Sequence, residues 1–167
     1  NRGVGSRIDE LVEQWRGERP DLDLDAMATV ARLLHLAARL RAELDAVAST
    51  YGVLVPEADV LFTLKRAGPP YRLLPSELSA SLLVSSGTLT NRLDRLEAKG
   101  LVERRRNPDD RRSVAVTLTD RGRALTEEAI TEHVANERRM LAPLSERELQ
   151  TLNRLTDKLL GHLAGEG

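Results

Sequence analysis

The sequence predicts a mainly α-helical protein with one small β-hairpin, and three observations support this fold class. Leucine and alanine are abundant and only four residues are aromatic, which favours packed amphipathic helices over a β-sandwich or barrel. Apolar residues recur at helical spacing through most of the 167 residues. Residues 102–118 instead read as two strands joined by the turn sequence NPDD, and the strand after the turn has alternating apolar residues. A chain of this length accommodates one domain with added oligomerisation helices.

The N-terminal region, residues 6–50, predicts two helices. The first is expected between Ser6, a suitable N-cap, and Pro20. The second is expected from about Asp25 to about Tyr51, with Gly52 as a plausible stop. The apolar stripe of the first helix consists of Ile8, Leu11, Val12 and Trp15.

The central region, residues 53–119, contains the most specific pattern of elements. A helix from Pro56 to about Arg66 precedes a short helix that opens at Pro75. After a tight turn, Ser85 can cap a further helix that is bounded by Gly100. The segments LVERRR and RRSVAVTLT then read as two strands, the second with Val114, Val116 and Leu118 on one face. Helix, turn, helix and hairpin in this order predict a winged helix-turn-helix.

The C-terminal region, residues 120–164, predicts two more helices. Thr119 caps one that runs to about Leu141, and Ser145 with Glu148 forms a capping box for the last. The last helix has a broad apolar side made of Leu149, Leu152, Leu155, Leu159, Leu160 and Leu163. Because this surface exceeds what a compact winged helix needs, we expect the N- and C-terminal helices to form a dimerisation platform; the alternative is that they fold back onto the monomer.

The composition argues against several classes of protein. The absence of cysteine excludes disulfides, thiolate nucleophiles and most structural zinc sites. His35, His133 and His162 fall in separate predicted helices without metal-ligand spacing, so no catalytic residue, metal or cofactor is expected. No segment reads as a membrane span or a signal peptide, so a cytoplasmic location is expected by default.

Positive charge is concentrated around the helix after Ser85 and the hairpin. Residues 86–123 contain ten basic and six acidic residues in a chain whose formal net charge is −1. A nearly neutral total can therefore conceal one basic face suited to a polyanion. Strand alternation prevents Arg104, Arg105 and Arg106 from all pointing to the same side.

A helical wheel separates the side chains of the helix after Ser85. Leu89, Leu93 and Leu96 define its buried stripe. Asn91 and Arg95 fall about 165° and about 125° from the stripe centre, where small and cationic side chains near a helix N-terminus could reach base edges and phosphates. Arg92 falls only about 65° away, at the boundary with whatever packs behind the helix.

The segment LEAKGLVERRRNPDDRRSVAVTLTDRG resembles the winged helix of the MarR family of bacterial transcriptional regulators, and the helix layout on both sides is similar. The residues that carry the family's D-x-R…L-T-x-x-G pattern are Asp110, Arg112, Leu118, Thr119 and Gly122. The resemblance implies an obligate homodimer that binds a pseudo-palindromic operator in double-stranded DNA. It implies that the helix over residues 86–98 enters the major groove and that the hairpin tip, with Asp110 orienting Arg112, reaches the minor groove. The candidate DNA-binding residues are Ser86, Thr88, Thr90, Asn91, Arg95, Arg104, Arg106, Asp110, Arg111 and Arg112.

A narrower resemblance is to the urate-responsive branch of this family, on the extra N-terminal helix with its tryptophan, the segment RAGPPY and the segment SSGTLTNRLDRLEAKGLV. It implies an effector site of Trp15, Asp59 and Arg92, in which a planar anion stacks on the indole and pairs with the guanidinium. Repulsion from Asp59 would displace the helix that carries Arg92. From the residues alone, Trp15 is ordinarily a core side chain and Asp59, opposite Leu61, ordinarily a solvated carboxylate.

Alternatives remain beside a ligand-responsive repressor of this kind. The effector could be another aromatic or phenolic molecule in a general pocket of the family. A winged helix used only for protein association would give a dimer that ignores DNA. An enzyme is disfavoured, since no phosphate-binding glycine loop and no nucleophile motif is present.

Overall fold

A computed structural model describes residues 4–106 and 112–165, and the predicted fold class is confirmed there. The described residues form helices and a small antiparallel sheet arranged as a winged helix-turn-helix. The elements in chain order are α1 (Val4–Glu18), α2 (Asp25–Thr50), α3 (Val55–Arg66), β1 (Arg72–Leu73), α4 (Pro75–Leu82), α5 (Ser86–Ala98), β2 (Val102–Arg106), β3 (Val114–Leu118), α6 (Asp120–Leu141) and α7 (Glu146–Leu163). The chain divides into two compact units, Asn1–Ala46 and Val47–Gly167.

In the N-terminal unit, α1 starts at Val4, so Ser6 lies inside the helix and does not cap it. The predicted apolar stripe is only partly buried. Ile8 and Val12 are buried, whereas Leu11 and Trp15 are exposed, Trp15 to 51%. Within this unit Trp15 is therefore not a core side chain.

The core of the C-terminal unit lies between α3, α4, α5 and the sheet. Its most deeply buried large side chains come from all of these elements, because each helix turns its leucine stripe inward. They include Leu61, Leu64, Leu78, Leu89, Leu96, Leu101 and Val116.

The sheet has a strand that the sequence did not predict. β1 pairs with β3, opposite β2, and gives the antiparallel order β1-β3-β2. Two residues are too few to show alternation, so no local pattern marks this strand. In β3, Val116 and Leu118 are buried as predicted, but Val114 is 46% exposed. Val114 lies opposite Arg106 at the outer end of the hairpin, beyond the cover of the core.

The predicted helix caps of the C-terminal unit are confirmed. The Ser85 hydroxyl accepts a hydrogen bond from the amide of Thr88, and the Thr119 hydroxyl accepts one from the amide of Gly122. The capping box of α7 is also present, with Glu148 accepting from the backbone of its N-cap serine. These bonds satisfy amides that the first turn of a helix leaves without partners.

The start of α6 is packed directly onto the junction between α5 and β2. The Thr119 amide donates to the Leu101 carbonyl oxygen at 3.1 Å, and its hydroxyl donates to the Gly100 carbonyl oxygen at 2.8 Å. At Gly122 the approach is so close that a Cβ atom would lie 1.9 Å from the Leu101 carbonyl oxygen. A glycine at this position therefore allows the contact between α6 and the junction.

The last helix buries no residue within the described chain. Its apolar side is open, with Leu155, Leu159, Leu160 and Leu163 exposed, Leu163 to 80%. The exposure of these leucines favours a dimerisation platform over folding of α7 back onto the monomer, and the platform itself stays a prediction.

The described residues contain neither a single membrane-spanning helix nor a metal-binding cluster. No single helix among them is long and apolar enough to cross a membrane, although α2 and α3 taken as a bent pair reach the required length and composition. No cluster of three or more His, Asp or Glu side chains in the described ranges could hold a metal ion.

Candidate nucleic-acid interface

The placement of α5 relative to α4 in the helix-turn-helix is determined by the turn between them and by the N-cap of α5. α4 is followed by its C-cap residue Leu83, which adopts a left-handed conformation with φ of 53° and whose side chain projects into solvent. The Val84 amide closes the turn by donating to the Ser79 carbonyl oxygen at 3.1 Å. Ser85 then caps α5, so the second helix starts after three residues. This short connection fixes α5 relative to α4.

The two faces of α5 match the helical wheel. Leu89, Leu93 and Leu96 are buried, and Arg92 is half-buried at the boundary, as predicted. The exposed side chains include the five candidate DNA-binding residues Ser86, Thr88, Thr90, Asn91 and Arg95. α5 therefore exposes hydroxyls in its first turns, the Asn91 amide in its middle and the Arg95 guanidinium in its last turn, which is the chemistry that reads base edges and phosphates.

A buried ion pair attaches the C-terminal end of α5 to α3. Glu57 is 1% exposed, and its Oε2 accepts from Lys99 Nζ at 2.6 Å and from the Leu54 amide at 2.9 Å. Lys99 is the residue directly after α5. The bond therefore connects the start of α3 to the end of the exposed helix, and no local sequence signal predicted it.

The hairpin arginines are not equivalent. Arg106 and Arg112 are exposed, as expected of groups that reach a polyanion. Arg105 is exposed but pairs with Glu103, Nε to Oε1 at 2.8 Å. The predicted contacts Asp110 and Arg111, and with them the expected orientation of Arg112 by Asp110, lie outside the described residues.

Arg104, a predicted DNA contact, has intramolecular partners in the structure. Its guanidinium turns back onto α5, where Nη1 lies 2.8 Å from Glu97 Oε2 and Nη2 lies 2.7 Å from Asp94 Oδ1. Burial lowers the pKa of Arg104, but the hydrogen bonds that it donates to both carboxylates outweigh this effect and raise the pKa above its usual value. The charge is thus already engaged by two acids. Sequence reasoning missed these partners because Gly100 reverses the chain between them.

The candidate effector residues fall in both units. Trp15 belongs to the N-terminal unit and is exposed beside Leu11, Gln14 and Glu18, which with it line an open depression on α1. Asp59 and Arg92 belong to the C-terminal unit. Asp59 is exposed on α3, as the wheel predicted from its position opposite buried Leu61.

The C-terminal unit also contains a cavity that sequence reasoning did not find. It has a volume of about 440 Å³ and combines serine and threonine hydroxyls, apolar side chains and one guanidinium. Its lining consists of Pro75, Ser76, Ser79, Ser86, Leu89, Thr90, Leu93 and Arg104. A space of this size and lining suits a small molecule that has both apolar and hydrogen-bonding groups.

Comparison with known proteins gives a consistent picture. The MarR family matches residues 51–113. The HTH-type transcriptional regulator PecS of Dickeya dadantii (strain 3937) is 42% identical over 156 residues, which cover 93% of this chain and 94% of PecS. The transcriptional repressor MprA of Escherichia coli (strain K12) is 25% identical over 156 residues, which cover 93% of this chain and 88% of MprA.

Two solved structures are similar over most of the chain. The crystal structure of a mutant MarR from E. coli complexed with operator DNA has a TM-score of 0.69 and 31% identity, covering 82% of this chain and 97% of that one. The crystal structure of AbsC, a MarR family transcriptional regulator from Streptomyces coelicolor, has a TM-score of 0.76 at 23% identity, covering 86% of this chain and 97% of that one. The second likeness concerns the fold alone.

Proposed function

Because this chain belongs to the MarR family of transcriptional regulators, we propose that it is a homodimeric repressor that binds a pseudo-palindromic operator and is released from it by a small-molecule effector. The observation that carries this proposal is the exposed polar face of α5, which lies next to a hairpin with the exposed cationic side chains Arg106 and Arg112. The chain is also similar to a MarR structure that contains operator DNA, and this similarity supports DNA binding through the same fold.

In this proposal α5 lies in the major groove and the hairpin in the adjacent minor groove. Asn91 is suited to a bidentate contact with adenine, and Arg95 to guanine or to phosphate. Ser86, Thr88 and Thr90 are short enough to let the helix approach the backbone closely. Arg106 and Arg112 supply charge to the minor groove, together with Arg111, and Asp110 orients Arg112.

The dimer is proposed from the exposed apolar side of α7. If the same surface of a second copy covered its four exposed leucines, their apolar surface would be removed from water, which is favourable. A two-fold axis would then place two copies of α5 on half-sites about one helical turn apart.

Fluorescence anisotropy with DNA from upstream of the gene tests the proposal. We expect specific binding that weakens steeply with salt, because phosphate contacts release counterions. Asn91→Ala should lower specific affinity by about 1–3 kcal/mol and relax preference at one base pair. Asn153→Ala, at an exposed asparagine of α7, is the matched control and should bind as wild type does. A folded dimer that binds no such fragment would leave protein association as the function.

For the effector, we propose urate or a similar planar anion in contact with Trp15, Asp59 and Arg92. The exposed indole, the exposed carboxylate and the half-buried guanidinium are each accessible to a ligand, which supports the residue assignment made from the resemblance. Since Trp15 is the only tryptophan of the chain, its fluorescence reports on binding. We expect urate to quench it and to release DNA, and Arg92→Ala to abolish both effects, whereas Arg154→Ala should retain them.

A second effector class is favoured by the cavity between α4 and α5. Its single guanidinium and its hydroxyl-rich and apolar walls suit an aromatic acid or a phenol. If such compounds release DNA while Trp15 fluorescence is unchanged, and urate does not, this class replaces the planar anion. Ser79→Leu, which fills the cavity from α4, should then abolish the response.

A further inference from the structure

Arg104 makes an unusual set of contacts for a cation in a DNA-binding hairpin. Besides the two carboxylates, its Nη2 donates to the Thr90 carbonyl oxygen at 3.4 Å. The three acceptors belong to residues 90, 94 and 97, which lie within about 60° of one another on the α5 wheel. The guanidinium therefore binds residues that span about two turns on one side of α5, next to the face that carries Asn91 and Arg95.

Glu97 holds the strand by its backbone as well as by its side chain. Its Oε1 accepts from the Arg104 amide at 3.1 Å while Oε2 accepts from the guanidinium at 2.8 Å. β2 is an edge strand that pairs only with β3 among the described strands, so the Arg104 amide faces away from the sheet. One carboxylate thus satisfies an edge amide and neutralises the side chain of the same residue.

The cluster carries more negative than positive charge, and its arginine compensates part of the excess. One arginine faces two carboxylates, and the side chains are 26% (Arg104), 57% (Asp94) and 41% (Glu97) exposed. Two acids on a helix that meets phosphates would repel DNA if they were unpaired. The arginine suppresses that repulsion and, because a guanidinium forms several bonds in a fixed plane, also fixes the direction of the strand that carries it.

We propose that Arg104, Asp94 and Glu97 form a brace that fixes the angle between α5 and the hairpin, so that both can enter neighbouring grooves at once, and that Arg104 is a positioning residue and not a phosphate contact. The inference rests on the proposed function in its effect on DNA, but the brace itself is a property of the free protein. The brace gives Asp94 and Glu97 a structural role, although their negative charge alone would disfavour DNA binding by the helix that carries them.

The sign of the effect of Glu97→Gln separates a brace from a simple charge effect. Removing an acid near DNA should strengthen binding if only charge matters. The brace predicts weaker operator binding, by about five- to tenfold, because a glutamine offers one acceptor oxygen instead of two and cannot hold both the Arg104 amide and its guanidinium. Glu103→Gln is the matched control: it removes an acid of the same hairpin without touching Arg104 and should bind as tightly as wild type or more tightly. Operator affinity of Glu97→Gln equal to or above that of wild type would overturn the proposal.

The salt dependence of binding separates positioning from phosphate contact. Arg104→Gln should lower operator affinity while leaving the slope of log affinity against log salt unchanged. Arg106→Gln, at an exposed arginine two residues along the same strand, should lower that slope by about one. If Arg104→Gln lowers the slope as much as Arg106→Gln does, Arg104 contacts phosphate and the proposal is wrong.

A measurement without DNA keeps the brace distinct from the proposed function. Amide hydrogen exchange of Arg104, followed by NMR, should be at least about tenfold faster in Glu97→Ala than in wild type, and unchanged in Glu103→Ala. Unchanged exchange in Glu97→Ala refutes the brace even if DNA binds. Faster exchange in a protein that binds no DNA supports the brace and refutes the proposed function instead.

Discussion

Replacing Gly122 by alanine should destabilise the protein through one close contact. The added Cβ would lie 1.9 Å from the Leu101 carbonyl oxygen and 2.9 Å from its carbonyl carbon, where real Cβ atoms essentially never come within 3.0 Å. Restoring that distance to the oxygen requires α6 to move about 1.1 Å away from the junction. The 3.1 Å bond from the Thr119 amide to the same oxygen would then be broken.

The expected magnitude combines overpacking with lost hydrogen bonds. Overpacking of a tight site costs about 1–3 kcal/mol, and each of the two Thr119 bonds to the junction contributes about 1 kcal/mol. We therefore expect Gly122→Ala to lose about 3 kcal/mol or more of unfolding free energy. In urea unfolding at fixed protein concentration this lowers the midpoint by about 1–3 M.

Two further variants make this prediction decisive. Gly87→Ala adds the same methyl group to α5 where nothing lies within 4 Å, so its stability should change by less than about 1 kcal/mol, in the favourable direction. Thr119→Ala removes the hydroxyl bonds without adding atoms and should cost about 1–2 kcal/mol, so the contact can be assessed even if Gly122→Ala does not fold. A Gly122→Ala midpoint equal to that of wild type would refute the steric reasoning.

Three other predictions concern stability and assembly. Lys99→Met removes the cation bound to buried Glu57 and should lower the unfolding free energy by about 2 kcal/mol in urea unfolding. The loss is smaller than for a fully buried pair because Lys99 is a third exposed. An unchanged urea midpoint would contradict this prediction. Hydrogen bonds from the N-cap serine hold the pKa of Glu148 below its usual value of 4.5, so its stabilising effect is complete above pH 4.5 and is lost as the pH falls through the lowered pKa. The helicity difference between wild type and Glu148→Gln, measured by circular dichroism, should therefore be largest at pH 7 and shrink at acidic pH. Leu159→Glu should weaken the proposed dimer more than about 100-fold in sedimentation, since a leucine of each protomer is lost, whereas Lys158→Glu should not.

The parts of the fold that depend on local chemistry were predictable from sequence. The buried stripe of α5, the exposure of Asn91 and Arg95 and the boundary position of Arg92 follow from the helical period alone. The caps at Ser85 and Thr119 follow from one side chain and the amide three residues later.

The features that sequence reasoning missed depend on residues far apart in the chain. β1 exists because Arg72 and Leu73 pair with Thr117 and Val116, more than forty residues later, and a two-residue strand carries no periodic signal. The direction of the Arg104 side chain likewise depends on where the reversal at Gly100 brings β2 against α5. Sequence alternation can say that three consecutive arginines point to different sides, but not which of them meets an acid.

Because α6 is attached at its first turn, a small tilt of this helix gives a large displacement at its far end. α6 has 22 residues and is about 33 Å long, and its first turn is fixed against the end of α5. A tilt of about 5° between the far end of α6 and α5 corresponds to a displacement of about 3 Å. The Gly122 contact lies on Leu101, between α5 and β2, and α6 also packs against α3. We therefore expect a movement of that size at the far end to act first on α3 and on the short segment that joins α5 to β2.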